Sequence, residues 1–461
     1  ESYDKLVLSP GAAPIKPKSI EGVDSPNVFT VRNVVDIEKL DRYLHDKAVT
    51  DVAVIGGGFI GVEITENLRM AGLNVSLIEA LDQIMAPFDY DMAQILHKEM
   101  FDQGVNLILG DGLKKVEPDF VELQSGKRIK SQAVVLAIGV YPETSLAKKA
   151  GLEIGETGGI KVNHNYLTSD ADIYAVGDAI EVYSSLSHKP TRLALAGPAQ
   201  RQARAAADHM CGIPYNNKGV IGSSVVRIFG LDAAVTGLNE RAVKAAGIPY
   251  DFAYVIPLDK VGLMPDSHPM HFKLLFEVPT GKVLGAQAIG RKEVDKRIDV
   301  VASIITMGGT LEDLKELELC YAPLFSTAKD VVNHAALVSL NLLYGRFKQV
   351  PVSKVRELVE SGAFIIDVRE KAEYAIGHLI NAVNIPMSEF RGRLDEIPKD
   401  RPVYLHCRSS QRSYNVLMAL QNIGYSNVYN ISGSYLGVCC YEYFNDQVTG
   451  RDKIVTEYNF N

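Results

Sequence analysis

A cysteine followed by two arginines is the feature of the sequence best suited to chemistry. Cys407 ends an apolar run, and the loop Cys407-Arg408-Ser409-Ser410-Gln411-Arg412 leads from it into a predicted helix that begins at Ser413. In a loop between a strand and a helix, backbone N–H groups converge on the sulfur. The helix dipole, Arg408 and Arg412 add positive charge that stabilises a thiolate or persulfide anion. The pattern therefore predicts sulfur chemistry at Cys407.

The spacing between Cys407 and Arg412 separates two chemistries for this loop. A phosphatase loop has one residue more between its cysteine and its arginine, so that it can cradle a tetrahedral phosphate. In this chain the arginine comes one place earlier, and Ser413 stands where the phosphatase arginine would be. The shorter loop favours a sulfane sulfur. A phosphatase and a catalytically silent interaction module are the alternatives for this segment.

A glycine-rich turn marks a second candidate site, which is suited to a dinucleotide. Gly56, Gly58 and Gly61 follow the β-branched run at 51–55, and a helical pattern comes directly after them. In this spacing the first glycine permits a tight turn, the second admits a pyrophosphate and the third lets the helix pack close to the strand. The helix N-terminus then offers free N–H groups to the phosphates.

An acidic residue at the end of the next strand bears on the choice of nucleotide. Glu79 lies about 20 residues beyond the glycine turn, the usual distance for a carboxylate that accepts hydrogen bonds from a ribose 2′-OH. Such a carboxylate repels a 2′-phosphate, and Ala80 and Leu81 supply no compensating cation. We therefore expect NADH rather than NADPH. A solvated strand end is the alternative for Glu79.

The composition of the chain excludes several classes of protein. Its 461 residues have room for roughly two to four domains. A formal net charge of −8 disfavours nucleic acid as a partner, and no apolar run is long enough to span a membrane. Five cysteines in so long a chain do not make a disulfide framework, and they favour a reducing, cytoplasmic compartment. No metal is expected.

Alternating strand and helix signals place both candidate sites on α/β sheets. Strands and helices alternate from residue 51 to about residue 140, and the strand at 173–180 ends at Gly177 and Asp178. Residues 216–345 show strands first and helices afterwards, which is typical of an α+β domain. Residues 348–352 are predicted to form a linker, and a fresh α/β pattern begins beyond them.

Several of these segments together resemble the flavin-dependent pyridine-nucleotide disulfide reductases, over about residues 1–345. Besides the glycine turn, the resemblance rests on residues 9–12, 137–142, 174–179 and 195–201. It implies that FAD and NADH are cofactors and that Asp178 holds the ribityl chain of FAD, although Asp178 alone could be a simple helix cap. The cofactor-binding residues that follow are Gly56, Gly58, Gly61, Glu79, Gly139, Gly177, Asp178, Pro198, Ser9 and Gly11.

The segment at 319–330 is similar to the C-terminal signature of coenzyme A disulfide reductases. Tyr321 matches a tyrosine that reaches across a dimer towards the flavin and the substrate sulfur in that family. The resemblance implies substrate contacts at Gln200 and Lys329, a homodimer, and coenzyme A bound as substrate or prosthetic group. A packed aromatic near a turn is the alternative for Tyr321, and the neighbouring Cys320 is expected to be a core thiol.

Two departures from that family affect the expected mechanism. The chain has no second G-x-G-x-x-G for the ADP half of FAD and no redox cysteine in the family's context, so we expect both in a segment that precedes Glu1. Relatives also carry tyrosines where this chain has Leu263 and Met264, which cannot donate a proton. This difference leaves room for a sulfur substrate other than a disulfide.

The C-terminal segments resemble rhodanese-type sulfurtransferases over about residues 352–445. The resemblance implies that Cys407 carries sulfur, while Asp367, Arg369 and His378 maintain the structure. The adjacent Cys439 and Cys440 are expected to be thiols, because a disulfide between neighbouring cysteines is strained.

The predicted fold class is α/β, with two Rossmann-like nucleotide-binding domains, an α+β dimerisation domain and a C-terminal rhodanese-like α/β domain. The FAD-binding domain is expected to be incomplete and discontinuous. The expected boundaries are 1–35 and 143–215 for FAD binding, 36–142 for NAD(H) binding, 216–347 for dimerisation and 352–461 for the rhodanese-like domain.

The predicted activity is the NADH- and FAD-dependent reduction of persulfide or polysulfide sulfur, including coenzyme A persulfide, to sulfide and thiol. Cys407, Arg408, Arg412 and Tyr321 are the predicted catalytic residues. The expected partners are small persulfides, polysulfides and coenzyme A thiols. The alternatives are a coenzyme A disulfide reductase with an accessory rhodanese domain, and a rhodanese module that only senses or binds sulfur.

Overall fold

The computed structural model describes residues 2–460, which divide into two compact units. The first unit comprises Glu1–Ala86 and Val105–Gly222, and the second comprises Pro87–Gly104 and Ser223–Asn461. The α-helices are α1 (Val34–Asp46), α2 (Phe59–Met70), α3 (Tyr90–Asp102), α4 (Ser145–Lys149), α5 (Ala196–Met210), α6 (Glu240–Ala246), α7 (Val294–Thr306), α8 (Leu311–Lys315), α9 (Val331–Leu343), α10 (Val355–Glu360), α11 (Lys371–Ile376), α12 (Gln411–Asn422) and α13 (Ser434–Thr449).

The strands lie between these helices in chain order. They are β1 (Leu6–Leu8), β2 (Ala12–Pro14), β3 (Val28–Thr30), β4 (Asp51–Ile55), β5 (Asn74–Ile78), β6 (Asn106–Ile108), β7 (Leu113–Val116), β8 (Phe120–Leu123), β9 (Arg128–Lys130), β10 (Ala133–Leu136), β11 (Val140–Pro142), β12 (Ile173–Ala175), β13 (Val182–Tyr183), β14 (Pro190–Thr191), β15 (Ser223–Ile228), β16 (Leu231–Gly237), β17 (Tyr250–Val255), β18 (His271–Glu277), β19 (Val283–Gly290), β20 (Gln349–Val350), β21 (Phe364–Asp367), β22 (Val383–Asn384), β23 (Val403–His406) and β24 (Val428–Ile431).

A five-stranded parallel sheet forms the centre of the first unit. Its strand order is β3-β10-β4-β5-β6, and all four neighbouring pairs run parallel. β4 is buried from Val52 to Ile55, as expected for a continuous apolar run in a sheet that is covered on both faces. In such sheets ligands bind at the carboxyl ends of the strands, and the glycine turn follows β4 at that edge.

The rest of the first unit is built around the short parallel pair of β1 and β12. β11 pairs antiparallel with β2, which follows β1 in the chain. Ala205 and Ala206 of α5 are buried in the core that also contains Tyr174 and Ala175. Small alanine side chains let the helix lie close to β12.

An antiparallel sheet with the order β15-β16-β19-β18-β17 organises the middle of the second unit, and α7 and α9 pack against it. This arrangement agrees with the predicted α+β pattern at 216–345. A buried lysine joins α3 to this sheet. Lys273 of β18 is 0% exposed, and its Nζ lies 2.8 Å from Asp91 Oδ2, 2.6 Å from Glu240 Oε1 and 3.1 Å from Asp89 Oδ2.

The charge of Lys273 depends on these three carboxylates. Burial by itself would lower the pKa of its ammonium group, but Asp91, Asp89 and Glu240 outweigh burial and raise that pKa. The carboxylates lie close enough together to hold a metal ion, and the Lys273 ammonium supplies the positive charge among them.

A second parallel sheet, with the order β20-β24-β23-β21-β22, forms the C-terminal part of the second unit. The expectation of a linker at 348–352 was wrong, because β20 pairs with β24 in this sheet. The amides of Asn430 and Ser432 donate to the carbonyl groups of Lys348 and Val350, so the supposed linker satisfies the polar edge of β24. Among residues 2–460, no helix combines the length and the apolar character needed to cross a bilayer.

Candidate active site

Cys407 lies between the end of β23 and the start of α12, at the carboxyl edge of the C-terminal sheet. Its side chain is 1% exposed. The hydroxyl of Ser413, in the first turn of α12, donates to the Cys407 sulfur across 3.7 Å. The sulfur is thus held at the bottom of its loop, with a hydrogen-bond donor directed at it.

Residues at the N-terminus of α13 form hydrogen bonds with both the N–H and the carbonyl group of Cys407. The Cys407 N–H donates to Ser434 Oγ at 3.1 Å, and the Tyr435 amide donates to the Cys407 carbonyl at 3.0 Å. The Leu436 amide continues this pattern to the Arg408 carbonyl. Ser434 is not among the site residues predicted from the sequence, because it lies 27 residues beyond Cys407 in the chain.

Ser410 has the least ordinary backbone conformation in the loop. Its φ is +76°, in the left-handed region that residues other than glycine adopt infrequently. Its hydroxyl donates to the Ile431 carbonyl at 2.9 Å, which ties this residue to the end of β24. Backbone conformations of this kind persist where the surroundings fix them, and they cluster at functional sites.

The two arginines of the loop have different surroundings. Arg412 makes a paired contact with Glu373, and its positive charge acts on Cys407. Burial lowers the pKa of Arg408, and the groups that act on it include Glu373, Arg412 and Cys440. The charge of Arg408 also reaches His271 of β18. The charge of Arg412 therefore acts on Cys407, whereas the charge of Arg408 also acts on a histidine of the neighbouring sheet.

Asp367 and Arg369 form a buried ion pair at the end of β21. Arg369 Nη2 lies 2.6 Å from Asp367 Oδ2 and donates to the Gly377 carbonyl at 2.7 Å. The pair joins the strand end to the segment before His378, whose ring stacks on Tyr374 at 3.8 Å between centroids. Cys439 and Cys440 are buried free thiols, as expected.

The glycine turn after β4 has the geometry that dinucleotide binding requires. Gly56 has φ +106°, and a Cβ there would lie 2.5 Å from the Ala137 carbonyl oxygen; at Gly61 it would lie 1.8 Å from the Gly56 carbonyl oxygen. At Gly58, by contrast, a Cβ would meet nothing within 4 Å. The first and third glycines are required by the protein itself, and the open side at the second is available to a ligand.

The Glu79 carboxylate is fixed at the carboxyl edge of the same sheet. It accepts hydrogen bonds from the Gly57 amide at 2.7 Å and from the Leu81 amide at 2.9 Å. A carboxylate has about four lone-pair sites, so each oxygen can accept one bond more. Both ribose hydroxyl groups of a nucleotide could be bound there.

The residues assigned to FAD surround the end of β12. Gly177 and Asp178 form a turn directly after this strand, and the Gly177 amide donates to Gln202 Oε1 of α5 at 2.7 Å. The first turn of α5 contains Pro198 and the exposed Gln200, and its N-cap residue makes no side-chain hydrogen bond. The described residues thus fit a flavin nucleotide, because the open helix end and the half-buried Asp178 can both bind its polar groups.

The other predicted FAD-binding residues lie in the turns next to β1, β2 and β11. Ser9 and Gly11 lie between β1 and β2, and Gly139 precedes β11, the partner of β2. The Gly139 carbonyl accepts a hydrogen bond from the Ile15 amide at 3.0 Å. This bond and the pairing of β2 with β11 hold Gly139 beside the segment that follows Gly11.

The segment before α9 exposes most of its functional candidates. Tyr321 is 50% exposed, and Lys329 is exposed as well. Cys320 is exposed, so the expectation of a core thiol was wrong; Leu324 and Phe325 are also exposed, which leaves the segment no core of its own. The buried Arg297, which donates to Asp330 at 3.0 Å, fixes the end of the segment.

Comparison with known protein families agrees with this architecture. Residues 1–203 match the pyridine nucleotide-disulphide oxidoreductase family and residues 223–331 match the dimerisation domain of that family. A coenzyme A disulfide reductase of Staphylococcus epidermidis is 31% identical over 334 residues, which cover 72% of this chain and 75% of the relative. The chain belongs to the pyridine nucleotide-disulphide oxidoreductase family. Residues 351–439 match the rhodanese-like domain.

Solved structures extend the similarity through the C-terminal sheet. A reduced CoADR-RHD from Bacillus anthracis is 42% identical with a TM-score of 0.92, covering 96% of this chain and 80% of that one. An NAD-dependent persulfide reductase from A. fulgidus is 32% identical with a TM-score of 0.89, covering 95% and 80%. The predictions of fold class, of an oxidoreductase that uses FAD and NADH, and of a rhodanese-like domain are confirmed.

Proposed function

We propose that this chain reduces sulfane sulfur with NADH and that Cys407 carries the sulfur. The overall reaction is R–S–SH + NADH + H⁺ → R–SH + H₂S + NAD⁺. The observation that carries the proposal is the Cys407 loop, in which the Ser413 hydroxyl donates to the sulfur and the positive charge of Arg412 acts on Cys407. The same chain has a dinucleotide turn with a fixed carboxylate at Glu79.

The loop is suited to a transfer of sulfur onto Cys407. The Cys407 thiolate attacks the outer sulfur of R–S–SH and forms a new S–S bond. The bond from that sulfur to R–S breaks, R–S⁻ leaves with the electron pair and takes a proton from solvent, and Cys407 becomes a persulfide. Arg412 and the Ser413 hydroxyl stabilise the anionic sulfur before and after the transfer.

The first unit supplies the reducing equivalents. Glu79 would accept hydrogen bonds from the ribose of NADH, and the open side of Gly58 would admit the pyrophosphate. Asp178 and the first turn of α5 would hold and orient the flavin. FAD, when bound, accepts two electrons from NADH and passes them on to sulfur.

A second candidate function is the reduction of coenzyme A disulfide, CoA–S–S–CoA + NADH + H⁺ → 2 CoA–SH + NAD⁺. The exposed Tyr321 favours it, because an accessible phenol can protonate a leaving thiolate. Lys329, exposed in the same segment, would meet a phosphate of coenzyme A. Leu263 is 90% exposed and provides no second proton donor, which weighs against this candidate as the main activity.

We also propose an oligomeric state, a cellular compartment and a set of domain boundaries for this enzyme. A homodimer is supported by the dimerisation-domain match at 223–331 and by the exposed apolar side chains of Leu324 and Phe325. We place the enzyme in the cytoplasm, where reducing conditions keep a carrier thiol available. The four-domain division has its boundaries at 35/36, 142/143 and 215/216, and its C-terminal domain, predicted at 352–461, also includes β20.

A comparison of substrates tests this proposal. The FAD-loaded enzyme would be assayed anaerobically for NADH oxidation with coenzyme A persulfide, inorganic polysulfide and coenzyme A disulfide. We expect kcat/KM for a persulfide or polysulfide to exceed that for the disulfide by about tenfold or more. A clear preference for the disulfide, lost in Tyr321→Phe, would instead establish the second candidate.

A further inference from the structure

Glu373, a carboxylate from a different element, is paired with Arg412. Glu373 lies on α11, and its Oε2 and Oε1 are 2.6 Å and 2.7 Å from Arg412 Nη1 and Nη2. Two parallel charge-assisted bonds of this kind fix the plane of a guanidinium group as well as its position. The side chains are 34% and 30% exposed, so the pair lies at the edge of the buried loop.

The paired guanidinium belongs to the arginine that directly precedes Ser413, whose hydroxyl donates to the Cys407 sulfur. The charge of Arg412 acts on Cys407 while its guanidinium binds Glu373. A free arginine side chain has many rotamers and would be solvated at a site with this exposure. The position of the Arg412 charge relative to the sulfur therefore depends on what holds the guanidinium.

We propose that Glu373 is a positioning residue of the sulfur site, which holds Arg412 against Cys407 without touching the substrate sulfur itself. This inference rests on the proposed role of Cys407 as the sulfur carrier. The hydrogen bond from Arg412 lowers the pKa of Glu373, so the carboxylate is ionised at neutral pH and the pair is fully formed there. Glu373 also raises the pKa of Arg412, which keeps its positive charge.

Glu373 has a second contact that a test must separate from the first. Its Oε2 accepts a hydrogen bond from the Glu370 amide at 3.2 Å, as part of the capping box of α11. Loss of this cap would weaken the helix whatever happened at Arg412. A single substitution at Glu373 therefore cannot distinguish a positioning role from a structural one.

A double-mutant cycle with Arg412 makes that distinction. Glu373→Ala, Arg412→Ala and the double variant would be compared in the full-length, FAD-loaded enzyme. Two rates would be measured at pH 7: sulfur transfer from thiosulfate to cyanide, and alkylation of Cys407 by iodoacetamide, followed by mass spectrometry. We expect Glu373→Ala to lower both rates by about tenfold, since it releases a charge-assisted pair. In the Arg412→Ala background, Glu373→Ala should have no further effect.

Two further variants serve as a control and a safeguard. Arg393 and Glu396 form an equally short paired contact, 2.6 Å and 2.7 Å, elsewhere in the same sheet domain, so Glu396→Ala should leave both rates unchanged. Glu373→Gln keeps an oxygen for the Glu370 amide, and it replaces Glu373→Ala in the cycle if thermal unfolding shows that the alanine variant is misfolded.

The results that would overturn the role of Glu373 differ from the result that would overturn the role of Cys407 as the sulfur carrier. Equal losses from Glu373→Ala with and without Arg412 would overturn the inference, because the effect would then come from the helix cap. Unchanged alkylation in Glu373→Ala would overturn it as well. Sulfur transfer that persists in Cys407→Ser would contradict the proposed carrier role instead, whatever the cycle showed.

Discussion

Hydroxyl groups as well as charges lie around the Cys407 sulfur. Ser413 donates to the sulfur, and Ser434 accepts the Cys407 N–H, which is therefore already engaged. Ser410, in its left-handed conformation, is hydrogen-bonded to both Ser434 and the end of β24. The loop is thus held from the side of α13.

Glu79 gives a prediction about the choice of nucleotide. Replacing Glu79 by Ala and Ala80 by Arg removes a carboxylate that repels a 2′-phosphate and adds a guanidinium that binds one. The ratio of kcat/KM for NADH to that for NADPH should fall by about tenfold or more, measured by nucleotide oxidation with a fixed sulfur substrate.

Glu63→Ala is the matched control for this change. Glu63 is an exposed carboxylate on α2, so its loss should leave the nucleotide ratio where it was. An undiminished preference for NADH in the Glu79/Ala80 variant would mean that Glu79 is only a solvated strand end.

At the residue scale, local patterns were predictable and distant partners were not. The glycines of the dinucleotide turn and the Cys407 loop are short contiguous motifs, and their spacing determines their geometry. Ser434 contacts Cys407 from 27 residues away, and Glu373 meets Arg412 from 39 residues away. No periodicity or motif links such pairs, because the fold of the whole sheet brings them together.

At the scale of elements, the turn between β24 and α13 packs against β17, which pairs with β18. A Cβ added to Gly433 would lie 2.6 Å from Tyr254 Cε1, so the turn before α13 approaches β17 closely. The Tyr254 hydroxyl lies 2.6 Å from His271 Nδ1, a hydrogen bond that a neutral imidazole can accept. Burial also favours the neutral form of the His271 imidazole, because burying an unpaired charge costs free energy.

His271 therefore predicts a pH dependence of stability. Burial, and secondly the charge of Arg408, lower the pKa of His271 from 6.5 to about 4. Between pH 6.5 and pH 4 the His271 imidazole is protonated in the unfolded chain but neutral in the folded chain. The free energy of unfolding therefore falls as the pH drops from 6.5 towards 4. At pH 5 this residue alone should cost about 2 kcal/mol. Urea unfolding at pH 7 and pH 5 measures the loss.

Substitution of His271 tests the origin of that loss. His271→Gln keeps an acceptor for Tyr254 but does not titrate, so the difference in unfolding free energy between pH 7 and pH 5 should shrink by about 2 kcal/mol. His164→Gln, at an exposed position, is the control and should leave the difference unaltered. The same pH dependence in wild type and His271→Gln would assign the acid sensitivity to other groups.

The elements themselves were predicted unevenly, for physical reasons. The run in β4 has continuous apolar character, and it lies where it was expected. β20 has only two residues, which are too few to show a periodic pattern in the sequence. It forms a strand through its backbone pairing with the edge of β24. Cys320 was assigned to the core from its residue type, yet its neighbours in the chain provide no core to join.

At the scale of the whole molecule, one chain combines a candidate nucleotide site and the loop that we propose to carry sulfur. The family matches cover the nucleotide-binding part, the dimerisation domain and the rhodanese-like domain in turn. Each part has a defined chemical task in the proposed reaction: Glu79 and the glycine turn bind NADH, Asp178 and α5 orient the flavin, and Cys407 receives sulfur. The central claim is that the last of these tasks is part of turnover.

The most direct measurement is the anaerobic oxidation of NADH with coenzyme A persulfide by FAD-loaded wild type, Cys407→Ser and Cys211→Ser, where Cys211 is an exposed thiol of the first unit. We predict that Cys407→Ser lowers persulfide turnover by about tenfold or more and leaves coenzyme A disulfide turnover unchanged, while Cys211→Ser alters neither. Persulfide turnover at the wild-type rate in Cys407→Ser would contradict the account.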